Sequence, residues 1–124
     1  MSVDPQAATL AVCRLPVDFY ALGNVSALEL VRRSGYPAAR CEVTTERLAA
    51  CLGGHPGWVD AWFGWSQDNR STPAWYVRAT TAGQYEVGSV GRDGSVATQL
   101  FMGDKVAACA EYICRAVAQI ADSG

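Results

Sequence analysis

The chain has 124 residues, half of them hydrophobic and 18% charged, with a formal net charge of −2. That is enough for one domain with one core, and too apolar for a disordered chain. That charge balance and a pI near 5.2 argue against nucleic acid as the main partner, since phosphate binding needs a basic stripe. No window approaches the ~18 uninterrupted apolar residues of a membrane span. The start carries Asp4 and no basic, then apolar, run, so no signal peptide is expected. Cys13, Cys41, Cys51, Cys109 and Cys114 are odd in number and lack C-x-x-C spacing, which argues against a zinc ribbon or a redox pair. They are expected to be small core residues in a reducing cytoplasm.

In chain order, residues 1–16 are ambiguous: Thr9 to Leu15 fits a short strand or the end of a helix. Ser26 is placed to cap a helix running to about Arg33, which Gly35 stops. Tyr36-Pro37 reads as a turn or an extended dipeptide. Thr44 or Thr45 caps a second helix from Glu46 to about Leu52, with Leu48, Ala49 and Leu52 inward and Glu46 at the positive end of the helix dipole. The run Gly53-Gly54-His55-Pro56-Gly57 breaks it. A third helix is expected from about Pro56 to Ser66. Trp58, Trp62 and Trp65 fall at i, i+4 and i+7 on one stripe, widened by Val59 and Phe63. That stripe is either wholly core or partly left accessible.

Trp75 to Phe101 reads as a three-stranded antiparallel meander, with strands at about Trp75–Thr80, Gln84–Val90 and Val96–Phe101. Thr81-Ala82-Gly83 suits a three-residue turn with Gly83 at positive φ, and Asp93-Gly94 a two-residue type I′ turn. These turns place Ala79 opposite Tyr85, Val77 opposite Val87, Trp75 opposite Ser89, Val87 opposite Leu100 and Ser89 opposite Thr98. One face then collects Trp75, Val77, Ala79, Tyr85, Val87, Val96 and Leu100 as core. The other collects Tyr76, Arg78, Glu86, Gln99 and Phe101, with Arg78 opposite Glu86. A last helix, capped by Asp104, runs to about Ala121. Its apolar stripe is Val106, Cys109, Ala110, Ile113, Val117 and Ile120, and its solvent side is Lys105, Glu111, Arg115 and Gln119. The predicted fold class is α+β: a helical N-terminal half, a β-meander and a long C-terminal helix packed on the sheet, in a single domain over 1–124.

The chemistry of an enzyme is thin. His55 is the one histidine, set in a turn between Gly54 and Pro56, so multi-histidine metal sites are ruled out. Nucleotide-binding glycine loops and H-E-x-x-H are absent. Gly88-Ser-Val-Gly91 and Gly91-Arg-Asp-Gly94 belong to hairpins, and Asp60 and Asp68 have nothing holding them at a catalytic separation. No catalytic residue, metal or cofactor is expected. The density of aromatics from Trp58 to Tyr76, interrupted by a polar loop carrying Asp68 and Arg70, is instead the composition of a protein–protein contact. That loop, Ser66 to Pro73, is either a structural turn with Arg70 paired to Asp68, or part of a binding face.

The ordered set Ser34-Gly35-Tyr36-Pro37, a helix opened by Thr-Glu, His55-Pro56, Trp62, Ser66-x-Asp68-x-Arg70-x-x-x-x-Trp75-Tyr76, a meander and Ala108-Cys109-Ala110-x-x-Ile113 resembles small immunity proteins of bacterial polymorphic toxin systems. The similarity covers about residues 26–120. It implies a cytoplasmic protein that binds a cognate toxin domain one to one, as a monomer in a heterodimeric complex, and covers or distorts its active site. It implies no cofactor, no catalysis and no membrane. The residues expected to meet the toxin are Trp65, Asp68 and Arg70 at the loop and Tyr76, Arg78 and Glu86 on the outer sheet face. A small-ligand-binding or regulatory domain with a tryptophan-lined pocket is the alternative, and a hydrolase built on His55 a third reading.

Overall fold

The computed structural model describes residues 4–68, 74–91, 93 and 95–123. Its elements run α1 (Pro5–Cys13), α2 (Leu15–Leu22), α3 (Ala27–Arg33), α4 (Tyr36–Ala39), a 3-10 turn (Arg40–Glu42), α5 (Thr45–Gly53), α6 (Pro56–Asp68), β1 (Ala74–Ala79), β2 (Tyr85–Val90), β3 (Val96–Met102) and α7 (Lys105–Ser123). The class is α+β, as the sequence predicts, with α7 packed on the antiparallel sheet β1-β2-β3.

The ambiguous start is helical. The Asp4 carboxylate accepts from the Gln6 N–H at 3.0 Å and Pro5 occupies the first turn, where a missing N–H costs nothing. Pro16 cannot continue α1, so the chain corners at Arg14 and restarts as α2. The expected caps hold: Ser26 accepts from Glu29 N–H, Thr44 from Arg47 N–H and Asp104 from Val106 N–H. Gly35 takes φ 85°, the left-handed geometry that ends α3 without a Cβ penalty. Tyr36-Pro37 is not an extended dipeptide. It opens the single-turn α4, because a proline in a first turn meets no missing bond and Tyr36 is drawn into the core.

The sheet register is the one read from the turns: Ala79↔Tyr85, Arg78↔Glu86, Val77↔Val87, Trp75↔Ser89, Val87↔Leu100 and Ser89↔Thr98. Gly83 sits at φ 78° in the first turn. The second hairpin differs from expectation. Gly91 N–H donates to Ser95 C=O at 2.8 Å, the Asp93 carboxylate accepts from Ser95 N–H and Oγ, and the pairing slips by one between Ser89 and Val90. A bulge thus replaces the tight two-residue turn; Gly94 itself lies outside the described residues. Val96 now pairs with Val90, on the opposite face from the one expected.

The core is centred on Trp62, Tyr112, Leu15, Leu48, Leu52, Ile113, Val12, Val31, Val77, Val87 and Val117. Helix α7 touches α1, α3, α5 and α6 as well as all three strands. It covers only the middle of the inner sheet face. Val77 and Val87 are sealed and Trp75 and Tyr85 half-buried against the core, whereas Ala79 and Leu100 stay exposed. Cys13 and Cys109 are core thiols, burial pushing Cys109 up to about 12, but Cys41 is exposed. Among the described residues no helix is long and apolar enough to cross a membrane.

Two buried bonds join the layers. The Trp62 indole N–H donates to the Cys13 carbonyl at 2.8 Å, and the Val77 N–H of β1 donates to Ser66 Oγ of α6 at 2.9 Å. We expect Trp62→Phe to cost about 2–4 kcal/mol in urea unfolding, from the lost ring volume and an orphaned carbonyl. The half-buried Trp58→Phe should cost less than about 1.5 kcal/mol in the same assay.

Candidate interaction site

The outer face of the sheet, opposite α7, carries Tyr76 and Arg78 from β1, Glu86 from β2, and Gln99 and Phe101 from β3. Strand alternation puts them on one side, and the register puts Glu86 between Arg78 and Phe101. Glu86 is 2% exposed. Its carboxylate accepts from Arg78 Nε at 3.1 Å and Arg78 NH2 at 2.9 Å, from Gln99 Nε2 at 2.9 Å, and from the Tyr76 hydroxyl. A carboxylate in a central strand is tolerated only when so satisfied. It lies one side-chain layer deep, sealed by its own partners rather than by an apolar core.

The Tyr76 bond does most to hold the Glu86 carboxyl below its ordinary range, outweighing desolvation, with Gln99 and Arg78 adding to it. The same arrangement acts oppositely on Tyr76: burial first, then the bond to and repulsion from Glu86, push its phenol up to about 12. Arg78 keeps 63% of its side chain exposed and its guanidinium lies 5.6 Å from the Tyr76 ring centroid. The outcome is a cation held rigidly at the surface by a buried anion and an aromatic ring. Phe101, across Glu86 from Arg78, and Val96, at the other end of β3, are each 54% exposed.

Of the six residues expected to form the site, the four whose side chains are described are not gathered into one patch. Tyr76, Arg78 and Glu86 are brought together, with Glu86 as an internal anchor rather than a contact. Trp65 is not an accessible anchor: it is 4% exposed, packed edge-on against Phe19 at 4.9 Å, Trp62 at 5.9 Å and Tyr20 at 6.4 Å. Helix α2 covers the end of the tryptophan stripe. The expected loop starts later than Ser66, since α6 runs on to Asp68. Ser66 is a buried joint whose hydroxyl also bonds Tyr112. Asp68 ends α6, its side chain lies outside the described set, and Arg70 lies outside the described residues.

Sequence reasoning had Gln99 and Phe101 on this face without a role, and missed Val96 because its pairing depends on the bulge. It also missed a second exposed apolar group, Leu10, Val17, Tyr20 and Leu22 on α1 and α2, in a segment without clear periodicity. Trp62 and Trp65 are buried, packed against each other, Phe19 and Tyr112. The groove beside Trp75 is shallow, with Arg115 held over that indole at 4.8 Å. His55 lies flat on Trp58, ring centroids 3.6 Å apart. Asp60 is in an ion pair with Lys105 at 2.8 Å. Among the described residues no cluster of His, Cys, Asp or Glu could hold a metal ion.

Because the Glu86 carboxyl is lowered in the fold, its contribution to stability is complete above the unfolded value near 4.5 and is lost as pH falls below it. Tyr76 is raised, so its contribution is complete below the unfolded value of 10 and lost as pH rises towards about 12. Urea unfolding of wild type and Glu86→Gln through pH 4.5 should give a wild-type stability that falls more steeply with acid than the variant's. Tyr76→Phe should cost about 1–2 kcal/mol at neutral pH, as the carboxylate loses a donor.

No protein-family model, no curated protein and no solved structure matches this chain.

Proposed function

We propose that the chain is an immunity protein of a bacterial toxin system, acting in the producing cell's cytoplasm. It binds a cognate toxin domain stoichiometrically, one per chain, and occludes the active site. The observation that carries this reading is that, among the described residues, one sheet face presents both the Arg78 guanidinium, tied to Glu86, and, across Glu86, the half-exposed Phe101. An arginine and an aromatic ring are the residue types on which binding energy concentrates. Holding Arg78 in place before contact lowers the entropy lost on association. A stable complex buries ~800 Å² per partner, so the contact must extend across the sheet face beyond these two side chains. A net charge of −2 gives only modest steering towards a cationic toxin cleft.

The test is co-purification with the C-terminal domain of the secreted protein encoded next to this gene, and rescue of cells expressing that domain. Phe101→Ala should weaken the complex at least about tenfold, the scale of a hot-spot truncation. Its melting temperature should stay within about 3 °C of wild type, because the ring is mostly in solvent. Full rescue by Phe101→Ala and Arg78→Gln together would move the contact off this face. Catalytic turnover by the purified chain would end the reading altogether.

A further inference from the structure

The two edges of the sheet are finished differently. The outer edge of β1 is closed by α6, whose Ser66 hydroxyl takes the Val77 N–H. Among the described residues, the outer edge of β3 has no neighbouring strand. Thr80 N–H donates to Gln84 C=O, and alternation from that pair puts the β2-facing groups of β3 at residues 98, 100 and 102. The N–H and C=O groups of Gln99 and Phe101 therefore point outwards. Natural edge strands are guarded by lysine, proline or inward charges. Val96-Ala97-Thr98-Gln99-Leu100-Phe101-Met102 contains no charged residue and no proline. Its bulge sits at the hairpin end, leaving 98–102 in regular pairing. Leu100 is 36% exposed on the inner face, beside the half-exposed Phe101 and Val96 on the outer one.

We propose that β3 pairs antiparallel with β3 of a second copy of this chain, on a two-fold axis through Leu100, joining two sheets into one of six strands. The strand's own pattern selects a second copy as the occupant. A two-fold at Leu100 sets Gln99 opposite Phe101 of the other copy, and both residues carry outward main-chain groups. The pairing then closes about four main-chain hydrogen bonds. Leu100 meets its own equivalent at the narrow, non-hydrogen-bonded position, where side chains approach most closely. Each Phe101 ring lies alongside the other copy's Gln99 rather than against a like group. Because the strand is uncharged, two copies meet without like-charge repulsion. The outer face is doubled and stays open. The contact is small, so a dissociation constant on the order of 10–100 µM is expected.

Sedimentation velocity of the purified full chain, from about 1 to about 500 µM, spans that range. The mass should rise with concentration from 13.2 kDa to twice that value. Leu100→Lys, which sets two ammonium groups on the axis, should stay monomeric throughout, with unchanged far-UV circular dichroism. Should that variant fail to fold, a second measurement decides. In a Cys41→Ser background, Leu100→Cys treated with diamide should form a covalent dimer, two thiols giving two protons and two electrons to the diazene as one S–S bond forms. Phe101→Cys, placed opposite Gln99, should cross-link far less. A wild type monomeric throughout overturns the proposal. So does a dimer that survives Leu100→Lys, or cross-linking stronger at 101 than at 100. Loss of toxin co-purification by Leu100→Lys from a monomeric wild type also overturns it, and assigns the edge to the toxin.

Discussion

The architecture turns on the Trp62 indole. Pro16 forces α1 to end at Cys13, and a helix end leaves carbonyls without partners. The Cys13 carbonyl falls inside the core, where an unpaired acceptor is costly, and the Trp62 N–H reaches it from α6 at 2.8 Å. The same ring lies edge-on to Trp65 and to Tyr112 of α7, with centroids 5.9 and 6.0 Å away. One side chain thus fixes the α1–α2 corner, α6 and α7 against one another. Helix α6 then delivers Ser66 to the free edge of β1, so the placement of the sheet follows from the placement of the helix.

That chain of constraints makes the sheet asymmetric. Its inner face takes α7 and is sealed at Val77 and Val87. Its outer face, among the described residues, takes no helix and is organised instead around a buried anion. Glu86 would be intolerable in a central strand without donors. With three side chains supplying them, it becomes the post to which Arg78 is tied. Rigidity at the surface and satisfaction beneath it are one arrangement. The edges are asymmetric too: β1 is closed by a helix, and β3 is left with its outward main-chain groups and half-exposed apolar side chains. Among the described residues, large exposed apolar side chains lie at Val96, Leu100 and Phe101 on the β3 side and at Leu10, Val17, Tyr20 and Leu22 on α1 and α2.

Much of this was legible in the residues, and the misses have physical causes. The Arg78–Glu86 pair followed from the Thr81-Ala82-Gly83 turn, because a turn of known length sets the register for every residue beyond it. The bonds of Tyr76 and Gln99 to Glu86 did not follow, since alternation says which face a side chain occupies and not how far it leans. Trp65 was misplaced because its spacing from Trp58 and Trp62 defines a stripe but not what covers it. Phe19, in a segment whose period was unclear, does the covering. Ser66 looked like loop because it is polar, yet its hydroxyl closes a strand edge eleven residues on. Val96 changed faces because a bulge moves a residue without altering the hydrophobic pattern that predicts the strand.

The sequence by itself determined what is local: the caps at Ser26, Thr44 and Asp104, the left-handed glycines, the meander and the register of its first hairpin. Those signals act over two to five residues, where backbone sterics and a single side-chain bond decide the conformation. Only the tertiary structure decided that α2 closes over Trp65, that Glu86 is sealed within its network, that α6 rather than solvent finishes β1, and that β3 is the open edge. Each of these depends on segments brought together from distant parts of the chain. Burial and exposure are properties of that assembly and not of any stretch within it.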